Sequence, residues 1–343
     1  MFLSKTNSIT AFRSGDGFAK SCVVIFSFFG ARALGGKTNG ADFLLKAGYD
    51  VVCVESNCDD WHQGLPPEAI EQLAVFLRRH YQRVEGYGSS MGAYAAIAFA
   101  EVLGFACVLA ISPQFNIEMD FDRRWASYAA KIVWRYRIHE GSTKAALYLV
   151  FDPLNPDSLH IPMIMAACPL ARITLAPLRY SGHPSTFWLH RAGLLKNYVI
   201  DIFEKGSTDL DWRSARQNNT VHVRELGFFL FHRRRFHLAS LVLEKAIQIG
   251  ETGAQIHKIL SGCQAQSGKL ESGLKNAELA IGMAVSPLEK ASCLVHLGHM
   301  LNHAGRKDDA IRRFDEAIML APSNPAYQKI RQQLKEMHAP RVA

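Results

Sequence analysis

The sequence predicts two domains of different class. Residues 1–205 read as an α/β domain with a doubly wound, mostly parallel sheet, and residues 220–337 as an all-α stack of helix pairs. Three observations predict this. Short apolar runs alternate with amphipathic segments through the first 200 residues. A polar stretch, GSTDLDWRSARQNNT, then separates the two halves. Beyond it, small residues recur at a spacing of 71. At 343 residues the chain is long enough for two cores.

The apolar runs are Cys22–Phe29, Tyr49–Glu55, Arg83–Tyr87, Ala106–Ser112, Ala145–Phe151 and Ala171–Leu178. They are rich in Val, Ile, Leu and Phe without strict alternation, which suits strands covered on both faces of a parallel sheet. Between them, Pro66–Tyr81 and Ala93–Leu103 read as helices, the first opened by prolines that a first turn tolerates. Strand and helix in alternation argue for α/β architecture. Residues 113–143 break the rhythm. They carry Asp120, Asp122, Arg123, Arg124 and Trp125, followed by a predicted helix to Arg137, and read as an insertion capping the sheet edge.

Gly86-Tyr87-Gly88-Ser89-Ser90-Met91-Gly92 holds the pattern G-x-S-x-G with Ser90 at its centre. It follows the strand Arg83–Tyr87 and opens the alanine-rich helix, the strand–turn–helix setting that a nucleophile elbow requires. Gly88 and Gly92 flank a turn too tight for side chains, and the Met91 amide points where an oxyanion would form. In this the sequence resembles the α/β-hydrolase superfamily over about residues 15–205. The resemblance implies a triad in the order Ser, acid, His. His183, in Tyr180-Ser181-Gly182-His183 after the last apolar run, matches the base, ahead of His160. Asp152 and Asp157 both lie in the loop where the acid belongs, and Asp157 is nearer the usual offset. A second oxyanion amide is expected from Phe29, Gly30 or Ala31. The implied chemistry is acyl transfer through an acyl-enzyme on Ser90, cleaving an ester or thioester without metal or organic cofactor. An acyltransferase would use the same triad, and an inactive hydrolase-fold scaffold is the other alternative. The GSSMGAYAA run with Ile111-Ser112-Pro113-Gln114 also resembles a bacterial hydrolase subgroup found beside polysaccharide-biosynthesis enzymes, implying an acylated glycan or glycolipid substrate.

After the polar linker 206–219, Leu226-Gly227, Ala239, Leu243 and Ala246 recur as Leu297-Gly298, Ala310, Phe314 and Ala317. Leu260-Ser261, Gly273, Ala277 and Ala280 fill the same slots between them, and Leu301, Gly305 and Pro322 extend the third copy. These residues resemble the tetratricopeptide pattern over 220–324, with Tyr327–Met337 as a cap helix. The middle copy departs, with Gln264 at an apolar slot and about three added residues. The resemblance implies a protein partner in a groove lined by Arg224, Phe228, His232, Val295, His299, Asn302 and His303.

The remaining signals exclude more than they add. A formal charge of +8 accompanies no nucleic-acid-binding motif. The seven cysteines are odd in number and lack CxxC spacing, which argues against a disulfide framework or structural zinc. Met1–Ser21 is polar, unlike a signal peptide, and Val23–Phe29 is too short to span a bilayer, so a cytoplasmic protein is expected. His296, His299 and His303 share a helix face, but groove residues explain them better than a metal site. Gly35-Gly36-Lys37-Thr38 lacks the upstream glycine of a phosphate loop, Ala31 standing there.

Overall fold

The computed structural model describes residues 2–139 and 143–338. The chain divides into two compact units, Met1–Arg216 and Gln217–Ala343. No helix among the described residues is long and apolar enough to cross a membrane.

The first unit holds one eight-stranded mixed sheet. Its strands are β1 (Phe2–Leu3), β2 (Asn7–Phe12), β3 (Ser21–Phe26), β4 (Asp50–Ser56), β5 (Arg83–Ser89), β6 (Cys107–Ile111), β7 (Ala146–Phe151) and β8 (Ile173–Pro177). They run in the order β1-β2-β4-β3-β5-β6-β7-β8. β1 and β2 pair antiparallel, as do β2 and β4, and every later pairing is parallel. The helices are α1 (Ala41–Lys46), α2 (Pro67–His80), α3 (Met91–Ala98), α4 (Ala100–Leu103), α5 (Ala126–Ala129), α6 (Asp157–Ala167), α7 (Thr186–Arg191) and α8 (Leu195–Lys205).

Both faces of the central strands are buried. Cys22, Val24 and Phe26 of β3 join a core with Leu73 and Leu77 of α2 and with the small side chains of α3. Val23 and Ile25 point the other way and are equally buried. This double covering explains why the runs lack alternation. The alanines of α3 let that helix lie close against β3, β5 and β6.

One buried charge in this sheet has a measurable consequence. Glu85 on β5 is 1% exposed, and among the described residues its carboxylate is partnered only by Arg83, at 2.6 Å. Burial pushes its carboxyl up to about 7, against the opposing pull of Arg83. The native state therefore holds the proton more tightly than the unfolded chain. Stability linked to it is full below the unfolded value of 4.5 and lost as pH rises through 7. Glu85→Gln should gain on wild type by up to roughly 3 kcal/mol between pH 5 and pH 8 in urea unfolding. An advantage that is constant across that range would refute the assignment.

The apolar runs did not mark β1 and β2, and two expectations, the helix to Arg137 and the linker, need correction. The polar N-terminus carries β1 and β2, because the polar side chains find partners in the sheet: Ser8 Oγ donates to Glu55 Oε2 at 2.7 Å. The helix expected to run to Arg137 is only a 3₁₀ turn (Arg123–Trp125) and α5. Beyond α5 the chain is tied down otherwise. Gln63 Oε1 accepts from the amides of Arg135 and Tyr136, each at 2.8 Å, and Tyr94 Oη donates to the Tyr136 carbonyl at 2.7 Å. Backbone groups bonded outward in this way are not available to a helix. The polar segment read as a linker folds in part onto the first unit, since Trp212 packs on Tyr198 at 5.3 Å between ring centres.

The second unit is helical: α9 (Thr220–His232), α10 (Phe236–Gln248), α11 (Ala254–Gln266), α12 (Leu270–Met283), α13 (Pro287–His303), α14 (Lys307–Leu320) and α15 (Pro325–His338). Consecutive helices pack as pairs. The recurring small residues sit where the paired helices touch. A Cβ on Gly227 would lie 2.4 Å from Leu243 Cδ2, and one on Gly298 would lie 2.8 Å from the Phe314 ring. In the middle pair the off-pattern Gln264 is buried but satisfied. Its Nε2 donates to Glu244 Oε1 at 3.1 Å and its Oε1 accepts from Asn276 at 2.9 Å.

Candidate active site

The β5–α3 turn places Ser90. Its backbone sits at φ 54°, ψ −116°, a strained conformation for a residue with a side chain. The turn can form because its neighbours lack side chains. A Cβ on Gly88 would lie 2.2 Å from the Gly92 carbonyl carbon, and one on Gly92 would lie 2.4 Å from the Phe26 carbonyl oxygen. Both obstacles are main chain and cannot rotate away. Gly92→Ala should therefore cost about 2 kcal/mol or more in urea unfolding. Gly36→Ala, with nothing within 4 Å of its Cβ, should stay within about 0.5 kcal/mol. Equal behaviour of the two would contradict the packing described.

Ser90 Oγ lies 2.8 Å from His183 Nε2, and His183 Nδ1 lies 2.6 Å from Asp157 Oδ2. Ser90 is 3% exposed, the Asp157 side chain 0% and the His183 side chain 11%. With Nδ1 donating to the carboxylate, Nε2 is left to accept the serine proton. His183 arrives on the loop after β8, where Gly182 takes φ 65°. Asp157 opens α6.

Asp152 does not touch the histidine ring. Its Oδ2 accepts the Gly182 amide and its Oδ1 the Leu154 amide, each at 2.9 Å. Burial pushes its carboxyl up, opposed by these amides. It braces the histidine loop, and of the two aspartates Asp157 is the one bonded to the His183 ring. His160 is fully buried and faces Asp122 Oδ2 at 3.3 Å instead of Ser90.

The loop after β3 narrows the oxyanion candidates. The Gly30 amide donates to Asp59 Oδ1 at 2.6 Å and the Ala31 amide to the Phe28 carbonyl at 3.2 Å, so neither is available. The Phe29 and Met91 amides have no hydrogen-bond partner among the described residues. A segment that sequence reasoning missed pins this loop from beneath. Asp59, Trp61 and His62 all have positive φ, and His62 Nε2 donates to the Ser27 carbonyl at 3.0 Å. Burial lowers the His62 pKa, favouring the neutral ring. Nothing in the composition of residues 57–63 signals that role.

Aromatic rings cluster against His183. Phe29 packs on Trp125 at 5.0 Å and on Tyr128 at 4.9 Å, and Trp125 packs on the His183 ring at 5.7 Å. An apolar recess of about 80 Å³ lies beside the strand end, lined by Phe26, Phe28, Tyr87, Ser89, Pro184 and Phe187 among others.

In the helical unit, a recess of about 450 Å³ is lined by Phe231, Phe236, His296, His299, Met300 and His303, with others. Burial lowers His296 to about 4, so it is neutral there. Of the expected groove residues, His299 and His303 line this recess. Arg224 is instead paired with Glu225 and Glu251, at 2.9 and 2.7 Å. Phe228 and Val295 pack into the apolar clusters between helices. His232 and Asn302 do not line the recess. Aromatic side chains that the register did not select, Phe231 and Phe236, take part instead.

No protein-family model and no curated protein matches the chain. Solved structures similar to it include MamA (20% identity, 36% of this chain and 70% of that one, TM-score 0.33). They also include PcrH in complex with the chaperone binding region of PopB (18% identity, 38% and 99%, TM-score 0.30). A third is the N-terminal domain of stress-induced protein-1 from C. elegans (14% identity, 34% and 94%, TM-score 0.31).

Proposed function

We propose that the first unit is a serine hydrolase of the α/β-hydrolase type that cleaves an acyl ester or thioester, and that the helical unit holds a protein partner. The observation that carries the enzymatic reading is the continuous relay from Ser90 through His183 to Asp157, at 2.8 and 2.6 Å, mounted on a strained serine. Three side chains from separate elements meet in the order nucleophile, base, acid, and this arrangement supports acyl transfer.

In the proposed mechanism, His183 Nε2 takes the Ser90 proton as Oγ attacks the substrate carbonyl carbon. The carbonyl oxygen becomes an oxyanion, which the Phe29 and Met91 amides face. Asp157 holds the imidazolium that forms. His183 then protonates the leaving alcohol or thiol as its bond to carbon breaks. Water, deprotonated by His183, attacks the acyl-enzyme, releases the acid and returns the proton to Ser90. The partner reading for the second unit rests on the aromatic and histidine lining of its recess.

The test is stopped-flow turnover of short-chain nitrophenyl esters and acyl thioesters. The expected record is a burst close to one equivalent followed by slower steady release, the mark of an acyl-enzyme. No burst and no turnover with any of them would reject the enzymatic reading.

A further inference from the structure

Asp157 uses only one carboxylate oxygen on His183. Its other oxygen, Oδ1, accepts from Arg124 Nη2 at 2.6 Å. Arg124 comes from the insertion, not from the sheet. The same guanidinium grips Asp122, with Nη2 on Oδ2 at 2.6 Å and Nε on Oδ1 at 2.7 Å. Its third nitrogen, Nη1, donates to Asn155 Oδ1 at 3.0 Å, which also accepts the Asp157 amide at 3.3 Å. Both carboxylates are fully buried and the Arg124 side chain is 31% exposed.

An arginine on the acid of a relay opposes that acid's purpose. A cation there weakens the negative field that stabilises the imidazolium. Asp122 offsets this: two carboxylates and one guanidinium carry the same net charge as a lone carboxylate. Burial raises the Asp122 carboxyl, but the bonds from Arg124 and His160 outweigh it and hold the group well below the usual range, so it stays ionised.

Resting on the proposed hydrolase reading, we infer that Arg124 is a positioning residue. It fixes Asp157 through its free oxygen and, balanced by Asp122, sets the charge that His183 faces, so the seating of the insertion and the basicity of His183 depend on one contact. Among the described residues, the charged and titratable groups tied to His183 or to its loop, directly or through one another, are Asp157 and His160 on α6, Asp152 after β7, and Asp122 and Arg124 from the insertion. The insertion also lays Trp125 against the His183 ring. Its displacement would withdraw the clamp and the ring together.

The inference makes two removals act in opposite directions. Asp122→Asn leaves Arg124 uncompensated beside Asp157 and lowers the His183 titration midpoint. Arg124→Met removes the cation nearest Asp157 and raises it. Each shift should be roughly one pH unit, reduced by the partial exposure of the guanidinium. Arg124→Lys keeps the charge without the fork. It should leave the midpoint close to wild type while lowering kcat roughly tenfold, because the point charge cannot hold both carboxylates in place.

The experiment is NMR titration of the full chain carrying ¹³C-labelled histidine. The His183 signal is assigned by its loss in His183→Ala, and each variant is first shown to be folded by its melting transition. Opposite shifts in Asp122→Asn and Arg124→Met support the inference. Shifts of the same sign, or none in either, overturn it, because a purely structural role would give no opposed pair. If Asp122→Asn does not fold, Arg124→Gln against Arg124→Lys carries the same charge contrast. This titration needs no turnover, so wild type failing to cleave esters would count against the proposed function and leave this readout intact.

Discussion

Ser90→Ala is expected to lower kcat for short acyl esters by about 10⁵-fold or more, with little change in KM. His183→Ala should cost a similar factor, and the double variant should be no slower than either single one. Nucleophile and base act as a unit: without Oγ there is nothing for Nε2 to deprotonate. Fold damage would not mimic this. Alanine at φ 54° carries the same backbone strain as serine, so the melting temperature of Ser90→Ala should be nearly unchanged. Additive losses in the double variant, read by steady-state kinetics, would show that the two residues do not cooperate.

The second large effect separates the two aspartates. Asp157→Asn should lower kcat by about 10⁴-fold. An amide can donate its own hydrogen to His183 Nδ1, forcing the proton onto Nε2 and leaving no base for Ser90. Asp152→Asn should keep kcat within about tenfold of wild type. Its cost should be in stability, roughly 1–3 kcal/mol, as one of the two amide contacts is lost or weakened. Measuring kcat and the urea midpoint of both variants decides the matter. A reversal, with Asp152→Asn the slower enzyme and Asp157→Asn the less stable protein, would move the acid to Asp152.

Much of this arrangement was legible in the sequence, and what was not has physical reasons. Strands β3 to β7 announced themselves because burial on both faces leaves continuous apolar runs, and the edge strand β8 carries a similar run although its residues are only partly covered. β2 did not, because Asn7 and Ser8 are buried by hydrogen bonds that composition cannot show. The turn at Ser90 was readable because its two glycines answer a local steric demand. The acid was left open between two residues, because both share one loop and only the folded loop shows which carboxylate reaches His183. Of the oxyanion candidates, Gly30 was lost to Asp59, a partner 29 residues away that no spacing rule would find. Arg124 was visible within a charged cluster, but its task depends on the inward turn of a segment that sequence periodicity read as helix. In the helical unit the small contact residues were plain from their recurrence. The recess was less so, because Arg224 is bound up with Glu251, a residue outside the repeat pattern.

The most direct test is mass spectrometry of the intact chain after exposure to a fluorophosphonate, followed by peptide mapping. The relay predicts one phosphonyl adduct per chain, placed on Ser90, and none on Ser90→Ala or His183→Ala. A folded wild-type chain that takes up no adduct, or takes it up at another serine, would contradict the assignment of Ser90 as nucleophile.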